Sequence, residues 1–362
     1  MYRHLEFERF CRMRRITVLL LIALFSLSMI PVLAQETTLT VIAHDSFNVT
    51  EDVLNAFTEE TGIALEILRL GDAGSLVNQS ILSSENPLGD VLYGVDNTFL
   101  GRALDNDLFV PYESPLLEMV AADYQTDPEF RVTPVNYGDV CINYDAAYFA
   151  ESELAIPESL ADLTDPAYRG LLVVENPATS SPGLAFLMTT VDAFGTEGDY
   201  TYLDFWAELV ENDVYISDDW TDAYYGQFSG SAGSEGDRPL VVSYASSPPA
   251  EVFFADPVPE TAPTGAIIAD QTCFRQIEYV GILAGTDNVE AAQMFIDFTL
   301  SLAFQQDIPL QMFVFPVNQE AELPQVFIDF AAIPENPVIL DPALINENRE
   351  AWIEAWTEAV LR

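Results

Sequence analysis

"LTVIAHDSFNVTEDVLNAFTEETGIALEILRLGDAGSLVNQSIL", residues 39–82, carries two alternating patterns. LTVIAH (39–44) and IALEILRL (63–70) are short apolar runs that read as strands. VTEDVLNAFTEETG (49–62), closed by Gly62, and SLVNQSIL (75–82) read as helices. DVLYGV (90–95) and NTFLGRALDNDL (97–108) repeat the strand-helix unit. Strands that alternate with helices imply parallel pairing and an α/β layer. Ligands of such sheets gather beyond the carboxyl ends of the strands. The residues there are His44, Asp45 and Ser46, then Gly71, Asp72 and Ala73, then Asp96 and Asn97.

After a looser segment with PYESP and DPEF, VNYGDVCINYD (135–145) resumes strand character, and a second α/β run follows. It comprises LLVVE (171–175), a helix opening at SSPGLAFL, the helix TYLDFWAELVEND, the strand VYISDD, a helix over TDAYYGQFSG and the strand PLVVSY (239–244). QTCFRQIEYVGIL (271–283) reads as another strand. It leads into one long amphipathic helix, VEAAQMFIDFTLSLAFQQ (289–306), and the chain ends in a helix with Trp352 and Trp356 on one face, a spacing typical of packing. Two α/β lobes are therefore expected, joined by crossings near residues 138 and 274. The expected boundaries are 35–138 for the first part of lobe 1, 139–274 for lobe 2 and 275–362 for the return to lobe 1.

The 362 residues are 49% hydrophobic and 12% aromatic, enough for two cores. Charge is the unusual feature. Thirteen basic residues, all arginine, face 58 acidic ones. Residues 1–34 hold five arginines and two glutamates, leaving eight arginines against 56 acids, a formal charge of −48. Nucleic acid and anionic lipid are excluded as partners, since phosphate binding needs clustered cations. RMRR, the apolar run from Ile16 and the V-L-A ending at Ala34 read as an export signal spanning 1–34. The same run is long enough to span a bilayer, so an uncleaved anchor is the alternative. Export leaves two cysteines, Cys141 and Cys273, one at each crossing. A disulfide that staples the hinge is expected in an oxidising compartment, with two buried thiols as the alternative.

Enzyme motifs are scarce: there is no GxSxG, HExxH, GxGxxG or glycine-rich loop with lysine, and no lysine at all. No catalytic set, cofactor or metal is expected. The polar and aromatic strings carry more. In NPATSSPGLAFL (176–187) the strand stops and a helix starts with Ser180 or Ser181 as its N-cap, an end whose free N–H groups suit an anion or a polar ligand group. DDWTDAYYG gathers Trp220, Tyr224 and Tyr225, and YASSPP puts Tyr244, Ala245, Ser246 and Ser247 past a strand's carboxyl end. Aromatic faces beside carboxylates suit a flat cation.

HDSF (44–47), LGDAGSLVN (70–78), TSSPGL (179–184), DWTDAYYG (219–226), VVSYASSP (241–248), AFQQDIP (303–309) and EAWIEAWTEAVLR (350–362) resemble, in order and spacing, the thiamine-binding subunits of bacterial ABC importers. The resemblance implies an α/β, two-lobed periplasmic-binding-protein-like fold of type II, its lobes joined by two crossover strands. It implies a monomer that captures thiamine, or its phosphates, and delivers it to a membrane permease. It places Asp72, Ala73, Ser180, Ser181, Trp220 and Tyr244 through Ser247 at the ligand, with Gly183 in the turn that meets a hydroxyl or phosphate. Trp220 and Tyr244 would stack on the rings, and Asp72 or Asp45 would offset the thiazolium charge. The sequence departs from the family at His44, where an aromatic residue is usual, at PPA (248–250) and at the additional Tyr225. Rival readings are a ferric-ion binder using Tyr224, Tyr225 and His44, a polyamine binder, or an exported hydrolase with paired acids.

Overall fold

Both faces of the first strand are covered, which is why LTVIA is apolar at every position but Thr40. The computed structural model describes residues 37–362, so the expected export signal lies outside the described residues. In β1 (Thr38–Ala43), Leu39, Val41 and Ala43 enter one apolar core while Ile42 enters another. A strand buried on both sides is what parallel pairing between helix layers demands. β1 pairs in parallel with β2 (Ala64–Arg69) and β3 (Val91–Asp96). The connecting helices are Glu51–Thr61 and Ala73–Leu82.

The remaining strands are β4 (Phe109–Val110), β5 (Thr133–Asp145), β6 (Leu172–Glu175), β7 (Tyr215–Ser217), β8 (Leu240–Tyr244), β9 (Thr264–Ile267), β10 (Phe274–Leu283) and β11 (Phe315–Pro316). They form one sheet in the order β2-β1-β3-β10-β5-β8-β6-β7, with β4, β9 and β11 paired off this path. The order is nearly symmetric. A parallel trio flanks each side, and the antiparallel β10 and β5 run between them. β5 and β10 are the two crossover strands expected near residues 138 and 274. The Cys141–Cys273 disulfide ties β5 to the residue before β10, and Ala245 packs against it.

Three elements differ from expectation. The helix expected over 289–306 is two helices, Val289–Leu300 and Leu302–Gln311, because Ser301 is extended and its hydroxyl accepts the Phe304 N–H to start the second. TDAYYGQ (221–227) forms a short π-helical turn over Asp222–Gln227. The helix Pro248–Phe253, with two prolines in its first turn, follows β8 in a stretch to which the sequence pattern assigns no element. The terminal helix, Pro342–Val360, buries Trp352 and Trp356, with Trp356 edge-on to Trp206 at 5.4 Å.

Candidate functional site

The carboxyl ends of both parallel trios open onto one cavity of about 410 Å³. Its first wall is built at the ends of β1 and β2 and on the middle of β10. Glu278 lies in β10 just before two register shifts, one against β5 at Val135, directly after Glu278, and one against β3 at Gly94, a residue further on. Bulges re-aim side chains, and here the Glu278 carboxylate faces His44, with Nε2 to Oε1 at 2.8 Å. Gly94 has φ +108°, and a Cβ there would overlap the His44 ring, so the bulge glycine makes the imidazole's seat. The Asn136 amide donates to the other Glu278 oxygen and, at 3.1 Å, to the Tyr93 hydroxyl. Burial lowers the His44 imidazole, but Glu278, Asp72 and Asp96 together lift it above its ordinary value.

Asp72 ends the turn after β2 and precedes the helix Ala73–Leu82. Its carboxylate accepts the Trp220 backbone N–H at 3.0 Å, a bond between residues 148 apart in sequence that joins the two walls. Burial raises the Asp72 carboxyl, opposed by Ser180 and that Trp220 N–H. Asp96, fully buried at the end of β3, is pushed up to about 6, chiefly by burial. Asp45 is exposed at the cavity and accepts the Gly71 N–H at 3.0 Å.

The second wall is aromatic. Trp220 stacks on Tyr224 with centroids 5.0 Å apart and planes 18° from parallel, and Tyr225 meets the indole edge-on at 5.5 Å. The π turn packs these rings together, and the indole N–H donates to the Ser243 hydroxyl at 3.0 Å. The Tyr224 hydroxyl donates to buried Glu251 at 3.0 Å. Tyr244, at the end of β8, donates to Gln276 Oε1 at 3.2 Å, and the Gln276 amide donates to the Ser181 hydroxyl at 3.2 Å. Burial, with Glu278, Asp96 and Asp72 nearby, holds the Tyr244 phenol well above its ordinary value. The negative potential of the first wall therefore reaches the second.

Of the residues singled out by sequence, Asp45, Asp72, Ala73, Ser181, Trp220, Tyr224, Tyr244 and Ser247 line this cavity. Ser180, Gly183, Ala245 and Ser246 are buried outside the lining. Ser180 is the N-cap residue of the helix Ser181–Phe194, although its side chain makes no capping bond. A Cβ at Gly183 would overlap the Glu175 carbonyl, so the glycine serves the approach of this helix to β6. The Ala245 N–H donates to Asp139 O at 2.8 Å beside the disulfide, and the Ser246 hydroxyl donates to Phe313 O at 2.7 Å. Sequence reading missed Glu278, Gln276, Asn136 and Phe313, all of which line the cavity. The signal was present in IEYVGIL, where a lone acid interrupts an apolar strand that buries both faces.

A cleft between two parallel trios, with polar and aromatic groups at strand ends and two strands crossing between, is the arrangement of a two-lobed binding protein. The chain belongs to the bacterial extracellular solute-binding proteins, whose family it matches over residues 86–329. It is 28% identical over 332 residues to the thiamine-binding periplasmic protein of Escherichia coli strain K12, covering 90% of this chain and 94% of that one. A solved periplasmic thiamin binding protein superposes with a TM-score of 0.77 at 26% identity, over 90% of this chain and 96% of the other. The ferric binding protein from Campylobacter jejuni shares the fold, with a TM-score of 0.71 at 18% identity over 89% and 99%. The fold is thus the two-lobed, type II periplasmic-binding-protein-like one.

Proposed function

We propose that the protein is the extracytoplasmic solute-binding component of an ABC importer, that it captures thiamine in the cleft, and that it hands the vitamin unaltered to a membrane permease. The observation that carries this reading is the pairing of walls in one cavity: stacked Trp220 and Tyr224 on one side, Asp72 and Glu278 on the other. Ring faces attract a flat cation, and carboxylates in a partly dry cleft neutralise it. The resemblance to thiamine-binding relatives over most of both chains supports the same ligand.

In this reading Trp220 and Tyr244 contact the rings, Asp72 and Glu278 face the thiazolium, and Ser181 and Ser247 meet the hydroxyl end. Free thiamine is preferred to its phosphates, because the cavity's one arginine, Arg69, donates to Phe47 O at 2.9 Å and its carboxylates repel an anion. The lobes divide as 35–138 with 275–362, and 139–274. The protein acts as an exported monomer, with the leader either cut at Ala34 or kept as an anchor, and β5, β10 and the disulfide form its hinge.

Iron is the second reading, since solved neighbours of this fold bind it. Against it, the Tyr224 hydroxyl is engaged with buried Glu251 at 3.0 Å, a bond that an iron ligand would have to give up. Calorimetric titration with thiamine, ferric citrate and spermidine tests the proposal. Heat of binding from thiamine alone is expected. Absence of binding by thiamine, or a visible charge-transfer band with iron, would overturn it.

A further inference from the structure

The His44–Glu278 pair is an unusual thing to find in a cleft that takes up a cation. Both side chains are nearly buried, at 13% and 11% exposed, and both line the cavity. Two bulges and a glycine at positive φ position the pair, so it is a built feature and not a chance surface contact. We propose that His44 is an internal cation that neutralises Glu278 while the cleft is empty, and that a cationic ligand takes over Glu278 and expels the His44 proton to solvent. The proposal rests on the cationic-ligand reading above and makes Glu278 a specificity-determining residue.

The chemistry follows from like charges. With His44 protonated, a ligand's positive ring must sit beside another positive charge, which disfavours one of the two. Loss of the Nε2 proton removes the conflict and leaves the Glu278 charge for the ligand. The groups around the imidazole are acidic or neutral on every packed element: Glu278 from β10, Asp72 from the turn after β2, Asp96 and Tyr93 from β3, and Asn136 from β5. Arg69 lines the same cavity from the end of β2. Burial opposes the imidazolium, while the three acids hold the proton on in the empty cleft, above the ordinary histidine range. Binding lowers that affinity for the proton, so in the window between the empty and occupied values each cation bound releases a proton and affinity climbs with pH. Asp96 and Asp72 also gain charge as pH rises and act in the same direction, so the variant at His44 is the discriminating one.

The test is calorimetry of thiamine binding between pH 6 and pH 8.5, in phosphate and in Tris to read proton release, with His44→Gln run alongside to separate the ligand's own protonation. For the wild type, affinity is expected to rise about tenfold from pH 6 to pH 8, with release approaching one proton near neutrality. His44→Gln is expected to abolish that release, flatten the profile above pH 7 and bind thiamine more tightly than the wild type at pH 6. Should that variant fail to fold, Glu278→Gln is expected to move release to lower pH and weaken binding at pH 8 at least tenfold. Wild-type binding with flat affinity and no proton release, or a His44→Gln protein that keeps both effects, overturns the proposal alone. No thiamine binding at any pH overturns the ligand reading and the proposal with it.

Discussion

The two walls of the cleft come from the same topology and carry opposite chemistry. Each is assembled around the carboxyl ends of a parallel trio, with Glu278 added to the first from the antiparallel β10, yet one presents His44, Asp72 and Glu278 and the other Trp220, Tyr224 and Tyr244. The aromatic wall is local in sequence: a π turn of six residues gathers two of its rings, and Trp220 lies just before it. The acidic wall is assembled from β1, β2 and β10 and depends on two bulges. Strand ends supply the positions, while irregularities in the ladder select the chemistry.

Both walls hang from one frame, so the largest expected effect comes from breaking it. A Cys141→Ser, Cys273→Ser double variant frees two points 132 residues apart and is expected to lose about 3–5 kcal/mol of stability in denaturant titration. A loss below about 1 kcal/mol would show that the β5–β10 ladder alone fixes the crossing. Next, Trp220→Ala removes the aromatic wall's central ring and its bond to Ser243, and thiamine affinity should fall by about 2 kcal/mol in calorimetry. Unchanged affinity would take that wall out of the site.

Asp72→Asn probes the other wall, since the amide oxygen still accepts the Trp220 N–H while the charge is gone. About a tenfold loss for thiamine is expected, with no loss for a neutral aminopyrimidine fragment. Equal losses for both would mean that Asp72 supplies shape and not charge.

The ligand-free protein should also reveal which wall is strained by its own charge. Asp96 holds its proton to about 6 in the folded state and an unfolded chain releases it lower, so the folded state binds more protons in that window and stability falls as pH rises through it. His44, raised by its acidic neighbours, contributes in the same direction, and its share is lost as pH rises through the folded value. The melting temperature should therefore be about 2–4 °C higher at pH 5.5 than at pH 7.5, and Asp96→Asn should flatten part of that slope. A melting temperature that falls on acidification would contradict the assignment. The smallest effect is expected from Tyr244→Phe, which loses one hydroxyl bond to Gln276 and about 0.5–1 kcal/mol of affinity.

Legibility in the sequence followed the same division. Apolar runs broken by helical periodicity gave the alternating order, because a strand buried on both faces has no other composition open to it. Trp220, Tyr224 and Tyr244 could be picked out because they cluster in short strings at strand ends. Glu278 could not be placed by spacing, since its direction depends on register shifts opposite Gly94 and Val135 that only strand pairing creates. Gly183 and Ser246 show the converse: they sit in strings that meet the cavity, but one fits a helix against β6 and the other bonds to Phe313. The split at Ser301 was hidden for a similar reason, as apolar periodicity runs through it while its extended backbone starts a new helix.

A crystal structure with thiamine bound is the decisive experiment. The ligand should lie between Trp220 and Glu278, its positive ring toward Glu278 and Asp72. Thiamine lodged elsewhere on the molecule, or with its charged ring turned from both carboxylates, would contradict the proposed site.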